Sequence, residues 1–315
     1  MSDTPQRAMT LFEWSLLIAL SLMWGGSFFF VAVIVKALPP PTIVALRVSI
    51  AAALLWISAP LTGLSLKRVR PALAALFLLG LLNNALPFSL IVWGQTRLPS
   101  GLASIFNAFT PVMTVLAAHV FTKSEKLNAA KLGGAALGVI GVATMIGPDV
   151  MSGSGDNVWA EAAILGASLS YALASIYGRR FKALGLKPID VAAGQLTASS
   201  VILAPIAIIV DRPWTLPQPS PAIGAAILAF AAVSTALAYI VFFRILAGAG
   251  ATNVVLVTLL APATSILLGV GLLGESLAPR HLLGLALIGA GLAFIDGRAP
   301  ALAARRLRAN APAAG

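Results

Sequence analysis

Residues 14–35 read WSLLIALSLMWGGSFFFVAVIV, twenty-two positions without a charge. A helix needs roughly 20 mostly apolar residues to cross ~30 Å of hydrocarbon, so this stretch reads as one membrane span. It is also longer than the roughly 7–15 apolar residues of a secretory signal core, and no small-x-small cleavage site follows it. Nine further runs of the same character follow at 42–61, 71–93, 100–121, 129–147, 158–178, 189–210, 221–243, 251–273 and 279–296. Short connections leave little of the 315 residues for a soluble domain. The expected fold is therefore all-α: a polytopic membrane protein of ten transmembrane helices.

Composition agrees. Hydrophobic residues make up 59% of the chain and charged residues 10%, against about 25% charged in ordinary soluble domains. Cysteine is absent and histidine occurs twice, which removes thiol chemistry and makes a histidine- or cysteine-ligated metal site improbable. No cofactor is expected. The formal charge of +11 would suggest nucleic acid in a soluble protein. Here its placement points to the bilayer instead. With the N-terminus inside, sixteen basic residues fall in cytoplasmic segments, among them Lys67, Arg68, Arg70, Arg179, Arg180 and Lys182, and only Lys36, Arg97, Arg212 and Arg280 fall outside. Both termini are expected in the cytoplasm of a bacterial inner membrane. The partners implied are lipid and a small-molecule substrate, with no nucleic acid, and the chain itself is expected as a monomer or weak homodimer.

The most loop-like stretch, 147–157, divides the chain almost in half, and the halves overlay at an offset close to 150. Arg47 falls opposite Gln195, Asn83-Asn84 opposite Ser234-Thr235, and Pro111 opposite Pro262. Glu125 matches Glu275 after a one-residue slip, and Trp24 to Ser27 faces Tyr171 to Ala174. Five helices is an odd number, so the second copy must start on the opposite side of the membrane. The expected architecture is two inverted five-helix repeats, 12–147 and 158–296, followed by a basic tail over 297–315. Such inverted repeats place substrate near the midplane, between the copies.

Several motifs stand in the same order in both halves: Trp24-Gly25-Gly26-Ser27-Phe28, Ala45-Leu46-Arg47, Thr110-Pro111-Val112 and Lys123 to Leu127, then Ala261-Pro262-Ala263 and Leu273 to Leu277. Together they resemble the drug/metabolite transporter superfamily, in its ten-helix branch of paired EamA units. Tyr171 stands where that family commonly has a tryptophan. The resemblance implies a non-ATP exporter of small organic metabolites, most often amino acids, with broad-specificity efflux of toxic amphiphiles as the alternative. It implies no enzyme.

Polar residues inside the spans mark the expected pathway. Ser100, Ser104, Asn107, Pro111 and Thr114 recur at helical spacing on one stripe of the fourth run. Pro111 lacks an N–H and leaves the carbonyl of Asn107 without its usual partner, so a kink with an open acceptor is expected there. Pro87 does the same for Asn83. Asn83, Asn84, Ser234, Thr235, Tyr239 and Thr258, with Trp24, Ser27, Tyr171 and Ser175, complete a candidate amphipathic cavity of aromatic walls and uncharged polar groups. Packing between helices is the competing account of the same residues. Arg47 either meets a substrate carboxylate or fastens helix ends, and it lies near enough to the outer end of its run to snorkel. Glu125 and Glu275 are expected to cap the fifth and tenth helices or to latch gates, with Pro87, Pro111 and Pro262 as flexible points. Helices five and ten, with Gly134/Gly138 and Gly289/Ala293, read as scaffold. All ten acidic residues lie in loops or near span ends. Because proton-driven carriers commonly use a carboxylate within the membrane, uniport down a substrate gradient is expected.

Overall fold

Proline at the first turn, where its missing N–H is not needed, sets the start of several helices: Pro40, Pro188, Pro221 and Pro279 all occupy that position. The first helix opens differently. The Glu13 backbone N–H donates to Thr10 Oγ1 at 3.2 Å and the Thr10 N–H to Glu13 Oε2 at 2.7 Å, a reciprocal cap. The structure is a computed structural model and describes residues 9–122, 127–146, 157–254 and 256–295. Glu125 and the tail 297–315 lie outside the described residues.

Among the described residues ten helices form the bundle: α1 (Leu11–Ile34), α2 (Pro40–Ile57), α3 (Leu66–Gly94), α4 (Ser100–Phe121), α5 (Ala129–Ile146), α6 (Val158–Ala183), α7 (Pro188–Asp211), α8 (Pro221–Gly248), α9 (Val257–Leu273) and α10 (Pro279–Ile295). Eight are long and apolar enough to cross a membrane, and α9 and α10 are shorter apolar helices of 17 residues, about 25 Å at 1.5 Å per residue. No strand occurs among the described residues. The outer surface carries large apolar side chains such as Leu22, Leu228, Ile209 and Leu267. That much exposed hydrocarbon is tolerable only against lipid, and the chain is a multi-pass membrane protein.

Two helices differ from the continuous runs expected. In α4, helix stops at Asn107 and resumes at Thr110, because Pro111 has no N–H for Asn107 and its ring would strike that carbonyl. The ninth run, expected from 251, is interrupted after the turn Ala251–Val254 and begins in earnest at Val257.

Packing follows a definite scheme. The pairs in closest contact are α5 with α10, α2 with α7, α4 with α9, α1 with α9, α4 with α6, α1 with α8, α3 with α6, α2 with α8 and α3 with α7. Exchanging the first five helices for the last five returns three of these pairs to themselves and turns the other six into one another. Helices α2 and α7 run antiparallel. The Thr42 N–H donates to Asp211 Oδ2 at 2.8 Å at one end, Trp56 Nε1 near the C-terminus of α2 donates to Thr197 Oγ1 at 3.0 Å, and Asp190 pairs with Arg68 at 2.6 Å beyond that end. Between α5 and α10 the backbones touch: a Cβ on Gly134 would strike the Gly291 carbonyl, and one on Gly141 that of Gly284. The expected partner stripe on α10, Gly289 with Ala293, is therefore replaced by Gly284 with Gly291. Gly25 in α1 serves a similar approach, since a Cβ there would meet the carbonyl of Ala261 in α9.

Candidate functional site

Near the middle of α3 and of α8 the helix widens. Residues Leu81–Ala85 and Ala232–Leu237 form π-helical segments at corresponding places in the two halves. A π-turn inserts one residue, re-aims the side chains around it and loosens the backbone ladder, and such turns are frequent at functional sites. In α3 the Leu86 N–H reaches back to the Leu81 carbonyl, just ahead of Pro87. In α8 the position matching Pro87 is Ala238, so proline is not the common cause.

Each π segment is bridged by the second helix of the other half. From α2, Arg47 Nε donates to Thr235 Oγ1 at 2.9 Å. From α7, Gln195 Oε1 accepts from Asn83 Nδ2 at 3.0 Å. Tyr239 joins the two sides: its hydroxyl donates to Asn84 Oδ1 at 3.0 Å and lies 3.3 Å from Asn83 Nδ2. Freed backbone acceptors are taken up locally. Ser170 of α6 donates to the Leu82 carbonyl at 2.6 Å, and Ser199 of α7 to that of Gly80 at 2.9 Å.

Arg47 is 7% exposed. It does not snorkel but turns into the bundle, where its guanidinium carbon lies 3.6 Å from the centroid of Phe88 and 4.3 Å from that of Phe230. Tyr171 and Tyr239 are its electrostatic neighbours. It forms no ion pair with a carboxylate among the described residues. A cation in mid-membrane costs roughly 2.5–3.5 kcal/mol or more, while each cation–π contact returns about 0.5–2 kcal/mol, so the rings and one hydrogen bond offset much of that cost. Asn84 is fully buried and Ser234 is 1% exposed, yet Asn84 Nδ2 and Ser234 Oγ make no hydrogen bond among the described residues. The nucleus thus offers uncommitted donors beside one fixed positive charge.

The structure brings together Arg47, Asn83, Asn84, Thr235 and Tyr239, with Ser234 on the same segment and Tyr171 beside them, its ring centroid 6.5 Å from that of Phe88. Others stand apart. Trp24 is half-buried against Phe242, 5.4 Å between centroids, in an apolar cluster of α1, α8 and α9. Ser27 is half-buried and makes no side-chain hydrogen bond, and Ser175 is exposed, its hydroxyl donating to the Ala172 carbonyl at 2.8 Å. Ser104 is buried and donates to the Gly101 carbonyl within its own helix. Thr258 is half-buried at the start of α9.

Two expectations are corrected. The Asn107 carbonyl is not an open acceptor, because Thr110 Oγ1 donates to it at 2.7 Å, the hydroxyl replacing the N–H that Pro111 lacks. Asn107 Oδ1 is the group left without a partner. Glu275 caps α4, not α10. Its carboxylate accepts from the Ser100 N–H at 2.7 Å, the Ser100 hydroxyl at 2.9 Å and the Gly101 N–H at 3.0 Å, where the unsatisfied N–H groups of a helix start attract an anion. Of the three prolines, Pro87 and Pro262 are buried and Pro111 is half-buried at the α4 break.

Gln195, Phe88, Phe230 and Ser170 are site residues that sequence reasoning missed. Gln195 had a signal, its place opposite Arg47 in the overlay of the halves. The two phenylalanines had none, being two among fourteen in an apolar chain. A shallow groove of about 470 Å3 on α2 and α7, lined by Ala52, Trp56, Val201, Pro205 and their neighbours, touches none of the expected site residues.

An apolar bundle closed around a buried polar nucleus, with π-turns on both sides, is the build of a multi-pass transporter. The chain belongs to the EamA-like transporter family, whose model matches residues 11–147 and again 158–296, within the drug/metabolite transporter superfamily. It is 31% identical over 278 residues to the inner membrane transporter YedA of Escherichia coli strain K12, covering 86% of each chain. To the transporter YvbV of Bacillus subtilis strain 168 it is 28% identical over 306 residues, 95% of this chain and 96% of the relative. A solved crystal structure shares the fold with a TM-score of 0.63 at 21% identity, over 90% of this chain and 96% of that one.

Proposed function

We propose that this transporter exports small organic metabolites, amino acids foremost, by alternating access across a bacterial inner membrane with both termini in the cytoplasm. The observation that carries the reading is the pair of π segments, each bridged by the second helix of the opposite half. Two inverted five-helix repeats account for that exchange, for the antiparallel α2–α7 pair and for the packing scheme, and they put the polar nucleus at the interface where such carriers bind substrate. Rocking of one half against the other breaks the bridges on one side and keeps those on the other, and π-turns give the helices a place to bend.

Uncharged amides and hydroxyls with tyrosine and phenylalanine walls suit solutes that combine a polar head with an apolar side chain. Acidic side chains of the described residues sit at helix ends, so substrate moves without a carboxylate proton relay in mid-membrane. Counterflow in proteoliposomes with labelled amino acids, nucleosides and sugars tests the reading. Exchange of an amino acid is expected, with no proton current on its addition. Movement of another class and of no amino acid would overturn the substrate while leaving the alternating-access scheme standing. A stoichiometric proton current would overturn uniport.

A further inference from the structure

We infer that Arg47 is the residue that recognises the carboxylate of the substrate, with Ser234 Oγ and Asn84 Nδ2 as supporting donors, and that the transported solutes are monocarboxylates, amino acids among them. The inference rests on the nucleus being the transport pathway. It goes further by naming the group that every substrate must carry and the residue that reads it.

The alternative is a purely structural fastener, and the geometry argues against it. A fastener holds helix-end carbonyls with its terminal nitrogens. In Arg47 only Nε is engaged, by Thr235 at 2.9 Å, and among the described residues the two terminal nitrogens have no hydrogen-bond acceptor. Those two nitrogens are the edge of the guanidinium fork that grips a carboxylate with two parallel hydrogen bonds. Phe88 at 3.6 Å and Phe230 at 4.3 Å hold the plane of the fork without competing for its donors. Among the described residues Arg47 alone is a buried cation, and it has no acidic partner. A guanidinium cannot shed its charge in a protein, so the nucleus remains positive until an anion arrives. Asn84 Nδ2 and Ser234 Oγ, both buried and unpartnered, are further donors on the two π segments that flank it.

Charge matching narrows the anion. A carboxylate carries one negative charge and neutralises one guanidinium. A phosphate monoester carries about 1.5 to 2 and would bring unbalanced charge into the membrane. Two further groups, Asn83 Oδ1 and the Tyr171 hydroxyl, make no hydrogen bond among the described residues. They are neutral and able to accept from an ammonium or a hydroxyl. The positive site therefore fixes the carboxylate and leaves the far end of the solute variable.

The test uses the full-length protein in proteoliposomes, with phenylalanine, 3-phenylpropionate, phenylalaninamide and phenethylamine as competitors of labelled phenylalanine counterflow. Wild type is expected to bind both acids at least ten-fold better than the amide or the amine. Equal competition by the amide overturns the inference with no variant needed. Arg47→Gln is expected to erase that preference and Arg47→Lys to restore part of it. Equal loss of acid and amide in a monodisperse Arg47→Gln protein would also overturn it, marking Arg47 as structural. If Arg47→Gln does not fold, Ser234→Ala serves instead, with a several-fold weakening expected for the acids only and a uniform effect counting against. Should no amino acid move, the substrate reading fails by itself. Thermal stabilisation of the detergent-solubilised protein by 3-phenylpropionate but not by phenethylamine would still support the inference, and equal or absent stabilisation would overturn it.

Discussion

The π segments Leu81–Ala85 and Ala232–Leu237 occupy equivalent places but are held by different chemistry. Across one, Gln195 and Asn83 exchange a neutral amide hydrogen bond of 3.0 Å. Across the other, Arg47 and Thr235 make a charge-assisted one of 2.9 Å, stacked between Phe88 and Phe230. The two segments share a π-helical backbone while their side chains differ. A neutral pair can part and re-form at little electrostatic cost. A buried cation cannot be left bare, because desolvating a charge costs several kcal/mol unless it is matched. The two sides of the nucleus therefore differ in what they tolerate, and that difference can be broken or sharpened by substitution.

The largest effect is expected from making both sides cationic. Gln195→Arg would place a second guanidinium beside Asn83, within reach of the Tyr239 hydroxyl that links the sides. A second buried charge without a counterion costs several kcal/mol, a large share of the roughly 5–15 kcal/mol that holds a fold together. Protein of this variant is expected to aggregate in size-exclusion chromatography after detergent extraction. A monodisperse, active Gln195→Arg would show that water reaches the neutral side freely and that the contrast between the sides is unreal.

Next comes a direct comparison of the bridges. Thr235→Val keeps the shape of the side chain and removes the acceptor of Arg47 Nε. Gln195→Met does the same to Asn83. Hydrogen bonds to charged groups contribute about 1.5–3 kcal/mol and neutral ones about 0.5–1.5 kcal/mol. Thr235→Val is thus expected to lower thermal stability about twice as far as Gln195→Met, read as unfolding midpoints in the same detergent. Equal losses would mean that the phenylalanine rings, not Thr235, hold Arg47.

Some of this contrast is legible in the amino-acid order and some is not. The spans are legible because an apolar run of ~20 residues is the length a bilayer demands and more than a soluble core usually supplies in one stretch. The polar residues on α3 and α8 likewise stand out against apolar neighbours. The π-turns are not legible, since a helix widened by one residue keeps the same composition, and Ala238 shows that no proline is required. Capping partners are equally hidden. Glu275 is adjacent in sequence to α10 but closer in space to α4, and only tertiary packing decides between two helix starts. Trp24 and Ser175 are aromatic or polar residues inside spans like those of the nucleus, and composition cannot say what their helices face.

A smaller effect is expected at the edge of the bundle, where Glu275 ties the α9–α10 connection to the start of α4. Glu275→Gln keeps the size and leaves one acceptor oxygen for the three donors on Ser100 and Gly101. Loss of a capping group costs about 0.5–2 kcal/mol. Transport is expected to persist, with the midpoint of unfolding lowered. A cysteine placed at Ser276 in the cysteine-free chain reports the same event as faster labelling, since freeing the carboxylate loosens that end of the bundle. Unchanged labelling would show that the cap stabilises α4 without holding two helices together.

The smallest effect, that of Ser175→Ala, emerges from a comparison of two serines on α6. Ser170 is 3% exposed and donates across to the Leu82 carbonyl inside the first π segment. Ser175 is exposed and only turns back on its own helix. Ser170→Ala leaves a carbonyl of a widened helix without its donor in a nucleus that water does not reach, at about 1–3 kcal/mol. Ser175→Ala removes a bond that the helix does not need, within about 0.5 kcal/mol of wild type. Counterflow rate and unfolding midpoint are expected to fall for the first and to stay unchanged for the second. A loss at Ser175 equal to that at Ser170 would move the pathway outward along α6, towards the face that carries Ser175, and would strip the π segment of its special standing.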